Sequence, residues 1–219
     1  MNKDDQNGKY VYCIIKAQEE KESFGNIGFQ GKEVYTIKYR DFSPVVSDAL
    51  FKKYDIEDEE DIKTHTYVVN EVMKKYSVIP VAYGMVFKNK KLVDISMRSG
   101  YQAMRKAMKI VDNKVELGVK VILPKDSDGD RQKAEQCKKE FSETLKQIAF
   151  DSKNLNLFSK RLIMNGSFLV EKDKVEAFSD EIERLRTKYD SFKVQYSGPW
   201  SPYNFIDIHI LSQQRGGFR

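Results

Sequence analysis

Hydrophobic and polar positions in this chain follow two rhythms, and each predicts its own kind of element. The first has a period of two or forms short apolar runs, as strands do. Tyr10-Val-Tyr-Cys-Ile-Ile15 is rich in β-branched and aromatic residues. Val34, Thr36 and Lys38 alternate with Tyr35, Ile37 and Tyr39, and Ser43 to Ser47 suits a third strand. Together these three predict an antiparallel meander. Val78 to Phe87 is apolar with Pro80 near its start, so a strand is expected to begin near Val81. Val115, Leu117, Val119, Val121 and Leu123 alternate without a fault. Leu162 to Val170, then Phe192, Val194 and Tyr196, and finally Phe205 to Leu211 complete the predicted strands.

The second rhythm is helical. Ile62, His65, Val69, Val72 or Met73, and Tyr76 share one face. The acidic run Asp55 to Asp61 stands before them, where carboxylates complement the positive end of a helix dipole. Leu92 to Val111 repeats the pattern through Ile95, Met97, Tyr101, Met104 and Met108. Ala134, Cys137, Phe141, Leu145 and Ile148 mark a third helix, and Val175, Phe178, Ile182, Leu185 and Tyr189 a fourth. Asp173 with Glu176 three residues on has the form of a capping box for the fourth.

The pattern restarts near Asp112, which predicts two domains, 1–111 and 112–219. The second reads β-α-β-α-β-β, compatible with a ferredoxin-like sandwich. The fold class expected is α+β: two ferredoxin-like or related domains, with mainly antiparallel sheets and helices on one face.

Composition narrows the function. With 13 Phe and 12 Tyr among 219 residues and 40% hydrophobic content, the chain can build a real core. The net charge of +5 is mild and interspersed, unlike the dense basic face of many nucleic-acid binders. No apolar run approaches the roughly 20 residues of a membrane helix, and Met1 to Lys9 carries no apolar signal core. The expected setting is the cytoplasm, without membrane contact. Cys13 and Cys137 are the two cysteines, expected as buried free thiols.

The candidate chemistry is sparse. His65 lies on an apolar helical face with no histidine or cysteine near it in sequence, which fits packing or a structural hydrogen bond; His209 is read the same way. Asp126-Ser-Asp-Gly-Asp130 resembles a calcium loop, but Arg131 and Cys137 stand where glycine and glutamate are required, leaving a solvated turn. Gly25, Gly28 and Gly31 lack the companions of a phosphate-cradling loop. No catalytic residue, metal site or cofactor is expected, so the chain does not read as an enzyme. Tyr83-Gly-Met-Val-Phe87 is faintly similar to the aromatic RNA-stacking strand of an RRM, with Lys88, Lys90 and Lys91 behind it. That makes a basic RNA-binding α+β module the alternative reading, although nucleic acid is the less favoured partner. In Gly198-Pro-Trp-Ser-Pro-Tyr-Asn-Phe205, the two prolines are expected to interrupt the sheet. Trp200 there either plugs a core or anchors a partner. Tyr83, Trp200, Tyr203 and Phe205 are the candidate binding residues.

Three segments together resemble the gas vesicle protein F/L family. They are Tyr10 to Ile15; His65 followed thirteen residues later by Val78-Ile-Pro-Val-Ala-Tyr-Gly-Met-Val-Phe87; and Val115-Glu-Leu-Gly-Val-Lys-Val121 with Gly198 to Phe205. The resemblance spans about residues 10–208. Ala82, Met85 and Ser201 depart from the family's usual arginine, threonine and proline. The resemblance implies an accessory protein or minor component of gas vesicles, located in the cytoplasm and at the vesicle. It would act through contact with the small hydrophobic wall protein or with other accessory proteins.

Overall fold

The computed structural model describes residues 7–124 and 131–206. The chain divides into two compact units; Asn113–Asn204 forms the second, and the described residues before and after it form the first.

In the first unit, strands β1 (Asn7–Lys16), β2 (Val34–Thr36) and β3 (Phe42–Leu50) form an antiparallel sheet. Two short strands, β4 (Ile79–Pro80) and β5 (Val86–Phe87), pair with the far side of β1. The sheet order is β2-β3-β1-β4. It is therefore no simple meander: β3 pairs with both β1 and β2 and sits between them. Tyr10 to Ile15 are all fully buried, which requires cover on both faces. Tyr10 and Val11 point to opposite sides, as neighbours in a strand must. Tyr10 meets α1 (Glu59–Lys75) through His65. Val11 joins a cluster with Ile14, Val46, Met97, Met104 and Met108 that is completed by α2 (Lys90–Val111). Asp58 caps α1 by accepting from the Asp61 amide, and Asn89 caps α2 in the same way through Leu92.

The segment from Val78 to Phe87 is a correction to the expected single strand. Pro80 itself pairs with Cys13, and the chain then turns through Gly84 at φ +83° before β5. An L side chain rarely adopts that φ, so the turn falls on the glycine.

The second unit contains β6 (Lys114–Ile122), α3 (Arg131–Ile148), β7 (Asp151–Asn154), β8 (Leu162–Glu171), α4 (Val175–Lys188) and β9 (Lys193–Trp200). Its order β7-β8-β6-β9, antiparallel throughout, is that of the ferredoxin-like split β-α-β arrangement. The sequence order is thus β-α-β-β-α-β. Val115, Leu117, Val119 and Val121 face the helices with Phe168 and Tyr196 of the flanking strands, as the register requires. Phe141 and Leu145 of α3 and Phe178, Ile182 and Leu185 of α4 are fully buried above them. The Phe178 ring lies 5.3 Å from Phe168.

Two further expectations change in detail. Asp173 does not cap α4; it sits in a 3-10 turn, Lys172–Lys174, that leads into the helix. The prolines do not end the sheet either. β9 runs through Pro199 to Trp200, with a bulge where Glu116–Trp200 and Gly118–Ser197 pair out of step, and Gly198 takes φ +118°. Phe205 belongs to a 3-10 turn, Tyr203–Phe205. Ile206 is a bend; the expected strand from Asp207 on, with His209, and the Asp126 to Asp130 loop lie outside the described residues.

Candidate functional site

One buried chain of polar contacts in the first unit starts at Gly84. Its amide donates to the Tyr10 hydroxyl at 2.8 Å. That hydroxyl lies 2.9 Å from Nδ1 of His65. The ring is hydrogen-bonded to the Val81 backbone as well. With the Val81 carbonyl holding one ring proton, Nδ1 is the acceptor and Tyr10 the donor. The neutral imidazole is the form that fits, and burial lowers its pKa to about 4, against the opposing pull of the Val81 carbonyl. Around this line stand Tyr12, Phe29, Tyr54 and Tyr83, in ring contacts between 4.6 and 6.3 Å. Burial pushes the Tyr54 hydroxyl upward, helped by the charge of Asp61; the Tyr83 hydroxyl is pushed up to about 12 by burial first and then by Asp61, Asp58 and Asp55.

Tyr83 therefore stands in a turn, packed edge-on to His65 and Tyr54, with its hydroxyl donating to the Asp55 carbonyl. It does not belong to a stacking strand. The arrangement is structural: every polar group in it is turned toward another part of the same unit. Among the described residues, no group of three or more His, Cys, Asp or Glu could hold a metal ion. Cys13 and Cys137 are free and buried, and burial raises both thiols, Cys137 to about 12. Among the described residues no helix is long and apolar enough to cross a membrane.

The second unit offers a different surface. Its helices cover one face of the sheet. On the other face lie Lys120, Gln195, Ser197 and Trp200, because directly opposed residues of antiparallel strands share a face. Trp200 is 44% exposed and does not fill a core. Phe158, 73% exposed, lies over Lys120 with the ammonium 5.2 Å from its ring. Phe158 comes from the loop between β7 and β8, and that loop is pinned. Arg161 donates through Nε and a terminal nitrogen to the Leu123 carbonyl, and the Asn165 amide donates to the Asn156 carbonyl. The buried carboxylate of Glu116 accepts from both the backbone and the side-chain amide of Asn204, fixing the turn after Trp200. Tyr203 is half-buried in that turn. Phe205 is buried and belongs to the first unit.

The four candidate aromatics are thus dispersed: Tyr83 and Phe205 fall in the first unit, Trp200 and Tyr203 in the second. The sequence reading missed Phe158, which follows Leu155 and Leu157 in a short loop stretch that matches neither the expected strands nor the expected helices. The central strands β6 and β8 carry Lys114, Glu116, Gly118, Lys120, Asn165, Ser167, Leu169 and Glu171 on the face without helices. None is aromatic, so the stacking platform of an RRM is not formed there.

The two-unit fold is similar to GvpF from Anabaena sp. PCC7120, whose crystal structure aligns with a TM-score of 0.79 at 18% identity, covering 92% of this chain and 98% of that one. The crystal structure of GvpF from Microcystis aeruginosa aligns at 0.75 and 16% identity, over 90% of this chain and 98% of that one. That likeness shows a shared two-unit α+β fold. The family model described as gas vesicle synthesis protein GvpL/GvpF matches residues 8–132 and 128–207, and the chain belongs to that family. Gas vesicle protein F1 of Halobacterium salinarum is 35% identical over 96% of this chain and 98% of its own length. Gas vesicle protein F of Haloferax mediterranei is 35% identical over 94% of this chain and 97% of its own.

Proposed function

We propose that this protein serves gas vesicle assembly by protein–protein contact, in the cytoplasm and at the growing vesicle, and not by catalysis. Its partner is the small hydrophobic wall protein or another accessory protein of the same organelle. The observation that carries this reading is the helix-free face of the second unit. There Trp200 and Phe158, both exposed, share a face with the stems of Lys120 and Gln195. A large aromatic that is half-exposed on a pinned backbone loses little freedom when a partner covers it, which is the usual character of an interface anchor. Of the candidate residues, Trp200 makes the direct contact and Tyr203 supports it from the adjoining turn. Tyr83 and Phe205 hold the first unit together.

The test is capture of purified wall protein by the full chain. Trp200→Ala with Phe158→Ala is expected to weaken capture by at least about 30-fold, the equivalent of about 2 kcal/mol. Undiminished capture by the double variant would move the contact elsewhere. A wild-type chain that captures no component of the vesicle would defeat the reading.

A further inference from the structure

The first unit carries an open cleft of about 530 Å³ whose cations outnumber its free carboxylates. Lys38 and Arg40 line one side, Arg105 and Lys109 the other, and Phe42 and Met108 form an apolar floor. The carboxylates beside them are already engaged: Asp112 with Lys16, and Asp41 with the Tyr101 hydroxyl. Arg40 occupies a two-residue hairpin turn at φ +53°, a conformation that favours glycine or asparagine. Its guanidinium stands 5.1 Å from the Tyr101 ring, which keeps the charge at the rim of the cleft. The four lysines and arginines are exposed, and none of them has an ion pair among the described residues.

The same unit carries the complement of this cleft. From Asp55 to Asp61, six of seven residues are carboxylates, and the seventh is Ile56, 79% exposed. Asp58 is occupied in capping α1 and Glu59 and Glu60 share Lys63 along the helix, but all of them stay exposed, and Glu57 projects from the exposed turn before it. An apolar side chain among carboxylates matches an apolar floor among cations.

We infer that the cleft takes the Asp55–Asp61 segment of a second copy of this chain, in a head-to-tail contact. The two surfaces differ, so the contact is heterologous and can propagate from copy to copy. A nucleic acid fits less well, since Glu19 also lines the cleft and its floor is apolar. The attraction between exposed charges is screened by salt, so the association belongs to low ionic strength and high local concentration.

The experiment separates donor from acceptor. Arg105→Ala/Lys109→Ala removes the charge of the cleft and keeps the acidic segment; Glu57→Gln/Glu60→Gln does the reverse. All four positions are exposed, and circular dichroism checks folding. In sedimentation at low salt, wild-type chain is expected to associate with concentration, and each variant alone to stay monomeric. The two variants mixed should form a dimer that grows no further. A synthetic peptide of residues 53–63 should dissolve the wild-type association, and the same peptide carrying Ile56→Asp should do so at least about tenfold less well. RNA of similar charge serves as the competing probe. A wild-type chain that stays monomeric at millimolar concentration, variants that associate as well as wild type, or a mixture that stays monomeric would each overturn the inference. So would RNA that binds the cleft while the peptide does not.

Discussion

The Tyr10 hydroxyl and Nδ1 of His65 lie 2.9 Å apart across the inner face of the first unit, joining the first strand to the first helix. The contact is buried at both ends, so neither partner can turn to water if the other is lost. Tyr10→Phe would leave the Gly84 amide and the imidazole nitrogen without their common partner. The expected cost is about 2 kcal/mol, read as a lower urea midpoint with unchanged slope. A variant as stable as wild type would remove the network from any account of the fold.

The same site predicts a pH dependence. His65 is held neutral, with its pKa lowered to about 4 from the ordinary 6.5. Between these values the unfolded chain binds the extra proton and the folded chain does not. Stability contributed by the neutral ring is therefore fully present above about pH 6.5 and falls as pH drops toward about 4, by on the order of 3 kcal/mol in all. Urea melts of wild type and His65→Gln across that window should diverge in slope. Parallel curves between about pH 6.5 and 5 would contradict it.

Trp200 separates stability from binding. At 44% exposure its truncation removes little buried surface, so Trp200→Ala should cost less than about 1 kcal/mol in a thermal melt. Phe178→Ala, by contrast, opens a cavity beneath Phe168 and Tyr196 and should cost about 3–5 kcal/mol. If the two variants melted alike, the sidedness of the sheet would be wrong.

Ser201 has a buried hydroxyl with no hydrogen-bond partner in the described structure. Removing an unpaired buried polar group is neutral or favourable. Ser201→Ala should raise the unfolding free energy by up to about 1 kcal/mol. A loss of more than that in differential scanning calorimetry would mean that the hydroxyl is engaged.

Much of this fold could be read from residues whose periodicity is set by burial. Val115 to Leu123 gave its strand because alternate positions lie under two helices. His65 was expected on the inner face of its helix, near the strand after Pro80, and is 3% exposed with Val81 as a backbone partner. The missed strand, Asp151-Ser-Lys-Asn154, contains no apolar residue. As an outer strand it is specified by its neighbour's backbone and carries no pattern of its own. The meander failed for a related reason: strand order is decided by long-range pairing, and alternation within β1, β2 and β3 is the same whichever of them lies in the middle. Trp200 could not be assigned to core or surface because both settings select the same side chain. Only the register opposite Glu116 places it on the face away from the helices.

The clasp between Glu116 and Asn204 bears on how the second unit is connected. That unit begins at Asn113 and ends at Asn204, so its last residue is bound three residues inside its first strand, within about 10 Å of where the chain comes in. A module whose two ends emerge side by side is wired like an insertion and can be excised without leaving a long gap. Residues 113–204 produced alone should fold around the same core, and a short glycine bridge could close that stretch into a ring.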